Sequence, residues 1–393
     1  MIICYTDANR AINLRWRDEE GNRQESTITD FDPYFYIYAL EDEPEAYTTS
    51  VLVNGRRIKL EYPFRYEEGE WCNLQKKPLK KVKVLKPDDI KYARKMWPKT
   101  FEGDVPFVNR YCIDNLKEIP EYNMRKWYWD MEWLNGDPIH GDAITAISLY
   151  DNYTDEYTIY TWFPEENWKL IDTPIVDSDT QSNLIYAGSE KKMLENFVDN
   201  MRKQDPDMLI TWFGNFADMP KLIHRLAYND IDPRLLSPYN DVKGVEGGNV
   251  TDYVDKYSTV SQPIRGRITL NLDLAFERQW NDSQRGTLPS MALDFVSELV
   301  LGDKKLVSEK FPDKNEFFRR GWLEDTENYL TYALKDTELI KRIDDEMALS
   351  EGVLALQRLL VAPFDTCFYA SNMGSIYFMR NAWWKAPTGD KSK

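Results

Sequence analysis

The sequence is poor in the residues that build zinc sites and disulfide frameworks. Its 393 residues include only two histidines and four cysteines, and no two cysteines form a CxxC pair. Zinc ligands come in closely spaced groups of Cys and His, so a structural zinc site is not expected. The scattered cysteines favour a reducing compartment, and we therefore expect a cytoplasmic protein.

Long hydrophobic runs are also absent. No stretch of the sequence reaches the roughly 20 apolar residues that a membrane-spanning helix needs. The opening residues, MIICYTDANRAINLRWRD, are too polar for a secretory signal. An apolar content of 42% and an aromatic content of 14% are typical of packed globular proteins and argue against disorder. The length predicts two or three domains.

Positive charge is scarce overall but concentrated in one segment. Fifty basic residues against 66 acidic ones give a net charge of −16, which predicts weak and salt-sensitive binding to any nucleic acid. The segment QKKPLKKVKVLKP is the exception. Its lysines could contact a phosphate backbone, or they could protect a solvated edge strand, and the sequence leaves both readings open. The candidate backbone contacts are Lys76, Lys77, Lys80, Lys81 and Lys83.

Residues 1–117 have the pattern of a β-rich domain. TITDFDPYFYIYAL alternates like a strand, Asn54-Gly55 is a hairpin-turn signal, and KVKVL is strand-like. One helix is predicted from Asp88 to Trp97, because Pro87 precedes it and Pro98 follows it.

Residues 118–347 alternate between strand and helix patterns. Strands are predicted at RKWYWDMEW, DPDMLITWF and GRITLNLDL, and AITAISLY and EYTIYTWF form a predicted hairpin. Helices are predicted after Ser189 and from Ala217 to about Tyr228. GVEGGNVTD is expected to be a projecting hairpin or a plain loop. The pattern predicts an α/β (mixed α+β) domain whose mixed sheet is covered by helices, and residues 348–393 then start with a further helix.

Three acidic signatures follow one another along residues 118–347. Asp130 and Glu132 are two apart on a predicted strand, so both point to one face. Asp218 lies at a strand-to-helix junction, where an isolated Asp more often caps the helix. Tyr332 and Asp336 are four apart on a helix and share a face, which is also compatible with a simple surface pair. Four carboxylates suit two Mg²⁺ or Mn²⁺ ions roughly 4 Å apart, an arrangement that hydrolyses phosphodiesters.

The order of these signatures resembles the proofreading 3′–5′ exonuclease of archaeal and phage family B DNA polymerases. The flanking segments DFDPYFYIYAL, GDVPFVNRYCIDN, LPSMALDFVSELVLG and ASNMGSIYFMRNAW resemble the same family. Phe213 stands where that family usually has Asn, and Ala217 where it usually has Phe. The resemblance implies a ribonuclease H-like exonuclease domain. It also implies that Asp130, Glu132, Asp218 and Asp336 bind two metal ions, while Tyr332 orients the attacking water.

The resemblance also implies partners. The expected substrate is DNA with a single-stranded or frayed 3′ end, together with a template strand, in an archaeal, bacterial or phage-infected cell. The palm signature of the family does not occur, so a polymerase portion with palm, fingers and thumb would be a separate chain or a missing region. The alternative is a non-catalytic, template-binding subunit that docks on such a chain through the helices after Glu351.

A second site is implied in residues 1–117, because archaeal relatives read template uracil there. The alternative is that the same residues form the core of the domain. The candidate pocket residues are Tyr5, Pro33, Tyr34, Pro87, Ile90, Val105, Phe107 and Arg110.

Overall fold

The protein is described by a computed structural model. It covers residues 1–7, 9–53, 56–134, 142–172, 182–250, 258, 260–282, 286–306, 308–381 and 387–390. The chain divides into two compact units that do not follow chain order. Unit 1 contains Met1–Ala8, Asn13–Ser26 and Pro120–Gln357, and unit 2 contains Asn9–Ile12, Thr27–Ile119 and Arg358–Lys393. The division into domains at residues 117 and 347 stays a prediction.

The strands of the described residues are numbered in chain order. They are β1 (Ile2–Thr6), β2 (Ala11–Arg17), β3 (Arg23–Ile28), β4 (Tyr34–Tyr38), β5 (Ala46–Val53), β6 (Arg56–Pro63), β7 (Arg65–Glu67), β8 (Leu79–Lys83), β9 (Lys126–Trp133), β10 (Ile144–Asp151), β11 (Glu156–Trp162), β12 (Ser182–Ala187), β13 (Met208–Thr211), β14 (Val245–Glu246), β15 (Asn249–Val250) and β16 (Ile268–Asn271).

The α-helices are numbered in the same way. They are α1 (Ile90–Ala93), α2 (Phe107–Asn115), α3 (Glu190–Gln204), α4 (Asp218–Tyr228), α5 (Leu272–Asp282), α6 (Leu293–Leu301), α7 (Lys314–Glu316), α8 (Trp322–Glu324), α9 (Thr326–Met347), α10 (Leu349–Leu360) and α11 (Ala370–Asn381). A π-helical turn, Phe317–Gly321, joins α7 to α8.

Unit 1 is built on a six-stranded mixed sheet in the order β12-β11-β10-β9-β13-β16. Strands β9, β10 and β11 are antiparallel neighbours, while β13 runs parallel to both β9 and β16. This sheet, with its flanking helices and the β-rich amino-terminal region, confirms the predicted mixed α/β fold.

Alternate side chains of β9 point to opposite faces of the sheet, one covered by α3 and the other by α9. Trp127 and Trp129 pack on Phe197 of α3, with ring centroids 6.2 and 6.1 Å apart. Tyr128 points the other way and donates a hydrogen bond of 2.6 Å to Asp344 of α9. Asp130 and Glu132 share the parity of Tyr128, and they therefore face α9.

Buried arginine–aspartate pairs hold the first strands within unit 1. The Arg17 Nε atom lies 2.6 Å from Asp207 Oδ2, and Arg15 Nη2 lies 2.9 Å from Asp205 Oδ2. Arg23 contacts both aspartates. The two aspartates belong to the segment DPD, which connects α3 to β13. Buried charges are tolerated when they are paired in this way, so the network fixes where β13 enters the sheet.

Unit 2 contains a sheet in the order β4-β8-β7 and the hairpin β5–β6. The expected turn at Asn54-Gly55 lies outside the described residues. The single helix predicted from Asp88 to Trp97 is wrong in detail, because α1 has only four residues and short 3-10 segments, Pro87–Asp89 and Arg94–Met96, flank it. A segment this short gains too few i→i−4 bonds to favour continuous α-helix.

Two further predictions were only partly right. The Gly-rich stretch does form a small hairpin, in which Val245 pairs with Val250, although residues 251–257 lie outside the described part. The strand predicted at GRITLNLDL stops at Asn271, and helix α5 begins at the next residue.

The described residues contain no helix that is long and apolar enough to span a membrane.

Candidate metal centre

Three of the predicted carboxylates converge on the α9 side of the sheet. Asp130 and Glu132 project from β9, and Asp336 projects from α9. One carboxylate oxygen of each lies within 4.8 Å of the other two. The two-residue period of the strand and the packing of α9 across β9 produce this arrangement, and its oxygen donors are the kind that hard divalent cations prefer.

Helix α9 positions Asp336 and Tyr332 one turn apart. The Tyr332 ring is buried against Phe317 and Phe318, with centroid distances of 5.6 and 5.7 Å. The Oδ1 atom of Asp336 is buried and finds no hydrogen-bond partner within the described part of the chain. A buried carboxylate oxygen without a partner is costly, and a bound cation would satisfy it.

Asp218 is the first residue of α4, and it is buried. It is outside the group of three within 4.8 Å of one another, and burial, with the charge of Asp130, raises its pKa. A tight turn brings it there: Phe213 has a φ of 61°, and a Cβ on Gly214 would lie 1.9 Å from the Thr211 hydroxyl. The turn therefore requires glycine at position 214.

Residues from β16 and α5 hold that turn in place. The backbone N–H of Asn215 donates to Asn271 Oδ1 at 3.0 Å, and that of Phe213 donates to Asp273 Oδ1 at 3.1 Å. Both bonds are donated by backbone N–H groups, so neither depends on the side chain of Phe213.

Lys305 is a member of the site that the sequence did not reveal. Its Nζ donates to Asp336 Oδ2 and lies 3.3 Å from the Tyr332 hydroxyl. Its backbone N–H is held by Asp294 Oδ1 at 3.0 Å. Although burial opposes the ammonium, the charges of Asp336 and Tyr332 raise the pKa of Lys305. Lys305 therefore keeps its positive charge beside the carboxylates.

The electrostatics of the cluster favour binding of a cation. Burial, with the charge of Asp336, raises the pKa of Asp130 to about 7. Burial also raises the pKa of Glu132 and of Asp218 well above the usual range, and the charge of Asp130 adds to both shifts. These carboxyls resist ionisation because they face one another at a site where Glu132, Asp218 and Asp336 are buried and Asp130 is only partly exposed. A divalent cation would remove that repulsion, so the donor set fits such an ion.

The candidate lysine contacts lie in unit 2 and differ in exposure. Lys76 and Lys77 are exposed. Lys81 Nζ lies 4.5 Å from the ring centroids of both Tyr34 and Trp71, and Lys83 Nζ pairs with a glutamate at 2.7 Å. Lys80 is buried, and its Nζ contacts Glu43 Oε1 at 2.7 Å.

The candidate uracil-pocket residues fall into separate groups. Tyr5 lies on β1 in unit 1, whereas the other seven lie in unit 2. The Tyr34 hydroxyl donates to Asp114 at 2.6 Å, and the guanidinium of Arg110 lies 5.3 Å from the Tyr34 ring. Phe107 packs on Phe31, with ring centroids 5.4 Å apart.

The remaining pocket candidates lie elsewhere in unit 2. Ile90 belongs to a core cluster with Phe35, on the opposite face of β4 from Tyr34. Pro87 begins the 3-10 turn before α1, Pro33 is buried, and Val105 lines a separate small pocket of about 160 Å³. Within unit 2, Tyr34 and Ile90 therefore belong to different clusters, and uracil recognition stays a prediction.

Comparison with known proteins shows which family the chain is similar to. A family model described as DNA polymerase family B, exonuclease domain, matches residues 117–279. The DNA polymerase of Thermococcus aggregans is 26% identical over 293 residues, which is 70% of this chain and 14% of that protein. DNA polymerase 1 of Pyrococcus abyssi is 27% identical over 316 residues, or 76% of this chain and 36% of that protein. The DNA polymerase of Desulfurococcus sp. (strain Tok) is 25% identical over 372 residues, or 89% of this chain and 42% of that protein.

The mixed sheet, on which carboxylates from a strand and a helix come together, has the ribonuclease H-like fold of this family's exonuclease domain. Residues 117–279 match the exonuclease-domain model of DNA polymerase family B, and the similarity to these three relatives extends over 70% to 89% of the chain. This confirms the resemblance found in the sequence. The chain spans 14% to 42% of the length of these three relatives. Exonuclease domains of the family generally depend on divalent metals, which agrees with the acidic cluster.

Proposed function

We propose that the chain is a metal-dependent 3′–5′ exonuclease that removes nucleotides from a single-stranded or frayed 3′ end of DNA. In the context of a polymerase this activity is proofreading. The observation that carries the proposal is the convergence of Asp130, Glu132 and Asp336 within 4.8 Å beside a buried Asp218. A carboxylate cluster of this kind, on an exonuclease domain of this family, has phosphodiester hydrolysis as its natural chemistry.

We propose that Asp130, Glu132, Asp218 and Asp336 hold two Mg²⁺ or Mn²⁺ ions. Ions bound there would supply Lewis-acid activation of water and stabilisation of the leaving 3′ oxygen. The side chains do the remaining work by binding and orientation. Asp336 has one oxygen directed to Lys305 and the other without a partner among the described residues, so it keeps a donor available while its position is fixed.

Tyr332 has a positioning role in this proposal. Its ring is fixed by Phe317 and Phe318, and its hydroxyl lies 3.3 Å from Lys305 Nζ. Burial raises the pKa of this phenol, so it stays protonated throughout the working range and acts as a hydrogen-bond donor. A fixed donor beside the carboxylates is suited to orienting a water molecule towards the scissile phosphate.

The test is digestion of a 5′-labelled single-stranded oligonucleotide in Mg²⁺. The proposal predicts a ladder that shortens progressively from the 3′ end, with release of 5′-mononucleotides and complete inhibition by EDTA. An oligonucleotide with a blocked 3′ terminus should resist digestion. Internal cleavage, shortening from the 5′ end, or activity that persists in EDTA would refute the assignment.

A second candidate is a subunit that binds template and docks on a separate polymerase chain. It is favoured by apolar side chains that unit 2 leaves exposed after Glu351, namely Leu359, Tyr369, Tyr377 and Phe378. The polymerase portion of the family is the proposed partner, and Lys76 and Lys77 are the proposed contacts to template DNA. A folded chain that binds single-stranded DNA without degrading it would favour this role over the first.

A further inference from the structure

The loop that follows α6 carries Lys305, whose ammonium lies beside the carboxylates. Its Nζ donates to Asp336 Oδ2 and lies 3.3 Å from the Tyr332 hydroxyl. No helix or strand of the described chain contains Lys305. A lysine ammonium sits on a flexible four-carbon stem, so it keeps one position only when the backbone that carries it is fixed. The contacts that fix this backbone therefore matter to the site.

One contact ties the loop to the helix that carries Asp336. Asp303 Oδ2 accepts hydrogen bonds from Lys335 Nζ at 2.9 Å and from Arg342 Nη1 at 2.5 Å, and both donors lie on α9. The Asp303 and Arg342 side chains are 32% and 36% exposed. Ion pairs as open to water as these contribute little to stability, so this contact alone holds the loop weakly.

A second contact fixes Lys305 itself. Asp294 is the second residue of α6, and its Oδ1 accepts the backbone N–H of Lys305 at 3.0 Å, across 11 residues of chain. Leu293 and Val296 of the same helix are buried, so the helix that presents Asp294 is packed in place. A hydrogen bond to an ionised carboxylate is stronger than one between neutral groups. The bond therefore joins a packed helix to the residue whose ammonium contacts the carboxylate cluster.

An aspartate in the first turn of a helix also has a simpler role. Its negative charge interacts favourably with the free N–H groups at the amino end of the helix. In α6, however, the carboxylate of Asp294 accepts a hydrogen bond from outside the helix, at Lys305. The two roles can be separated by asparagine, which keeps the acceptor oxygen and removes the charge.

We propose that Asp294 is a positioning residue of the exonuclease site, which holds Lys305 so that its ammonium stays in contact with Asp336. The inference rests on the proposed exonuclease function and deepens it, because it adds a residue that acts on the site through Lys305. The ammonium fixes the Asp336 carboxylate, and it also repels any other cation near the cluster. Loss of its position should therefore slow cleavage and at the same time strengthen metal binding.

The first test compares Asp294→Ala and Asp294→Asn with wild type in cleavage of an octadeoxynucleotide over a range of Mg²⁺ concentrations. In Asp294→Ala the kcat at saturating Mg²⁺ should fall about fivefold or more, as expected for loss of one positioning hydrogen bond. The half-saturating Mg²⁺ concentration should also fall, by about threefold or more, because a positive charge has moved away. The KM for DNA should stay near wild type, and Asp294→Asn should resemble wild type throughout.

A control and a double variant test the route through Lys305. Glu298→Gln is the matched control, because Glu298 lies on the same helix and pairs with the neighbouring Lys304 at 2.8 Å. It should keep the wild-type kcat and Mg²⁺ requirement. The double variant Asp294→Ala, Lys305→Ala should behave like Lys305→Ala alone. Additive losses in the double variant, or an Asp294→Asn variant that resembles Asp294→Ala, would refute the positioning role.

Folding of the variants is checked by urea denaturation in EDTA. Asp294 is partly exposed and alanine favours helix, so Asp294→Ala should unfold at a urea concentration near that of the wild type. Should this variant unfold early, Asp294→Ser replaces it, because the shorter serine side chain also loses the contact with the Lys305 N–H.

Metal binding without DNA distinguishes failure of the inference from failure of the proposed function. The probe is Mn²⁺, titrated calorimetrically into each protein. Asp294→Ala should bind Mn²⁺ about threefold or more tightly than wild type, and Asp294→Asn should bind it equally. If no protein hydrolyses DNA, that shift still supports the role of Asp294, and unchanged or weaker binding refutes it. If Asp294→Ala cleaves DNA with the wild-type kcat and Mg²⁺ requirement, the positioning role is refuted while the exonuclease stands.

Discussion

Replacing Asp130 with Asn should stabilise the protein when no metal is present. The carboxyl is surrounded by other buried carboxyls, and its pKa is about 7 instead of the usual 3.8. A folded-state pKa above the unfolded value means that the unfolded chain releases this proton first. The loss of unfolding free energy caused by Asp130 is therefore absent below about pH 4, and it grows until the pH passes about 7. The Asn side chain has the same shape but cannot ionise.

The size of the effect follows from the same pKa. A difference of one in pKa corresponds to about 1.4 kcal/mol, so the increase from 3.8 to about 7 sets an upper limit of about 4 kcal/mol. Asp130 is partly exposed, and water screens its charge. We therefore expect the Asn variant to gain about 1–3 kcal/mol in unfolding free energy at neutral pH.

The assay is urea denaturation of both proteins in EDTA and again in Mg²⁺, at about pH 4 and about pH 8. In EDTA at the higher pH the variant should be more stable, and at the lower pH the difference should vanish. Saturating Mg²⁺ should stabilise the wild type more than the variant, because the ion binds the folded wild-type site. Asp199→Asn, an exposed substitution on α3, is the matched control. Equal stability at about pH 8 in EDTA, or equal stabilisation by Mg²⁺, would refute the reasoning.

Three other substitutions test different parts of the account. Lys305→Ala leaves the buried carboxylate of Asp336 without its ammonium, so unfolding free energy in EDTA should fall by roughly 3 kcal/mol in urea denaturation, and by less in Mg²⁺. Asp207→Ala leaves the buried guanidinium of Arg17 without its carboxylate, so the unfolding free energy measured by thermal denaturation should fall by about 3–5 kcal/mol. A fall below about 1 kcal/mol would contradict a buried network. Tyr332→Phe keeps the ring packing but removes the hydroxyl, so the single-turnover cleavage rate should fall by about tenfold or more without loss of stability, and a wild-type rate would exclude the positioning role.

The parts of the site that depend on local spacing could be predicted from the sequence. Asp130 and Glu132 are two apart on a strand, and Tyr332 and Asp336 are four apart on a helix, so geometry fixes which face each pair shares. The mixed sheet followed in the same way from alternating strand and helix patterns. Those inferences required no knowledge of contacts between distant segments.

Lys305 could not be predicted because its role depends on a long-range contact. It lies in the segment after α6, 31 residues before Asp336, and no periodicity connects a loop lysine to one carboxylate among many. The turn that positions Asp218 is similar, since Asn271 and Asp273 hold it from more than 50 residues away. Such partners become visible only once the chain is folded.

The strand period of the lysine segment predicts which of its lysines is buried. In LKKVK the two-residue period places Lys80 on the same face as Val82, which is fully buried. Burial of Lys80 followed from that parity. The resemblance to archaeal relatives matches positions along the chain, but it does not say on which side of β4 each matched residue packs. Tyr34 and Ile90 lie on opposite sides of that strand.

The most direct test of the central claim is the rate of nucleotide release from the 3′ end of single-stranded DNA in Mg²⁺. It should be measured for wild type and for the double variant Asp130→Asn, Glu132→Gln. The carboxylate cluster predicts metal-dependent release by the wild type and no release by the double variant. The urea concentration at which the double variant unfolds should be no lower than that of the wild type. Release by the folded double variant at a rate near wild type would show that these carboxylates are not the catalytic centre.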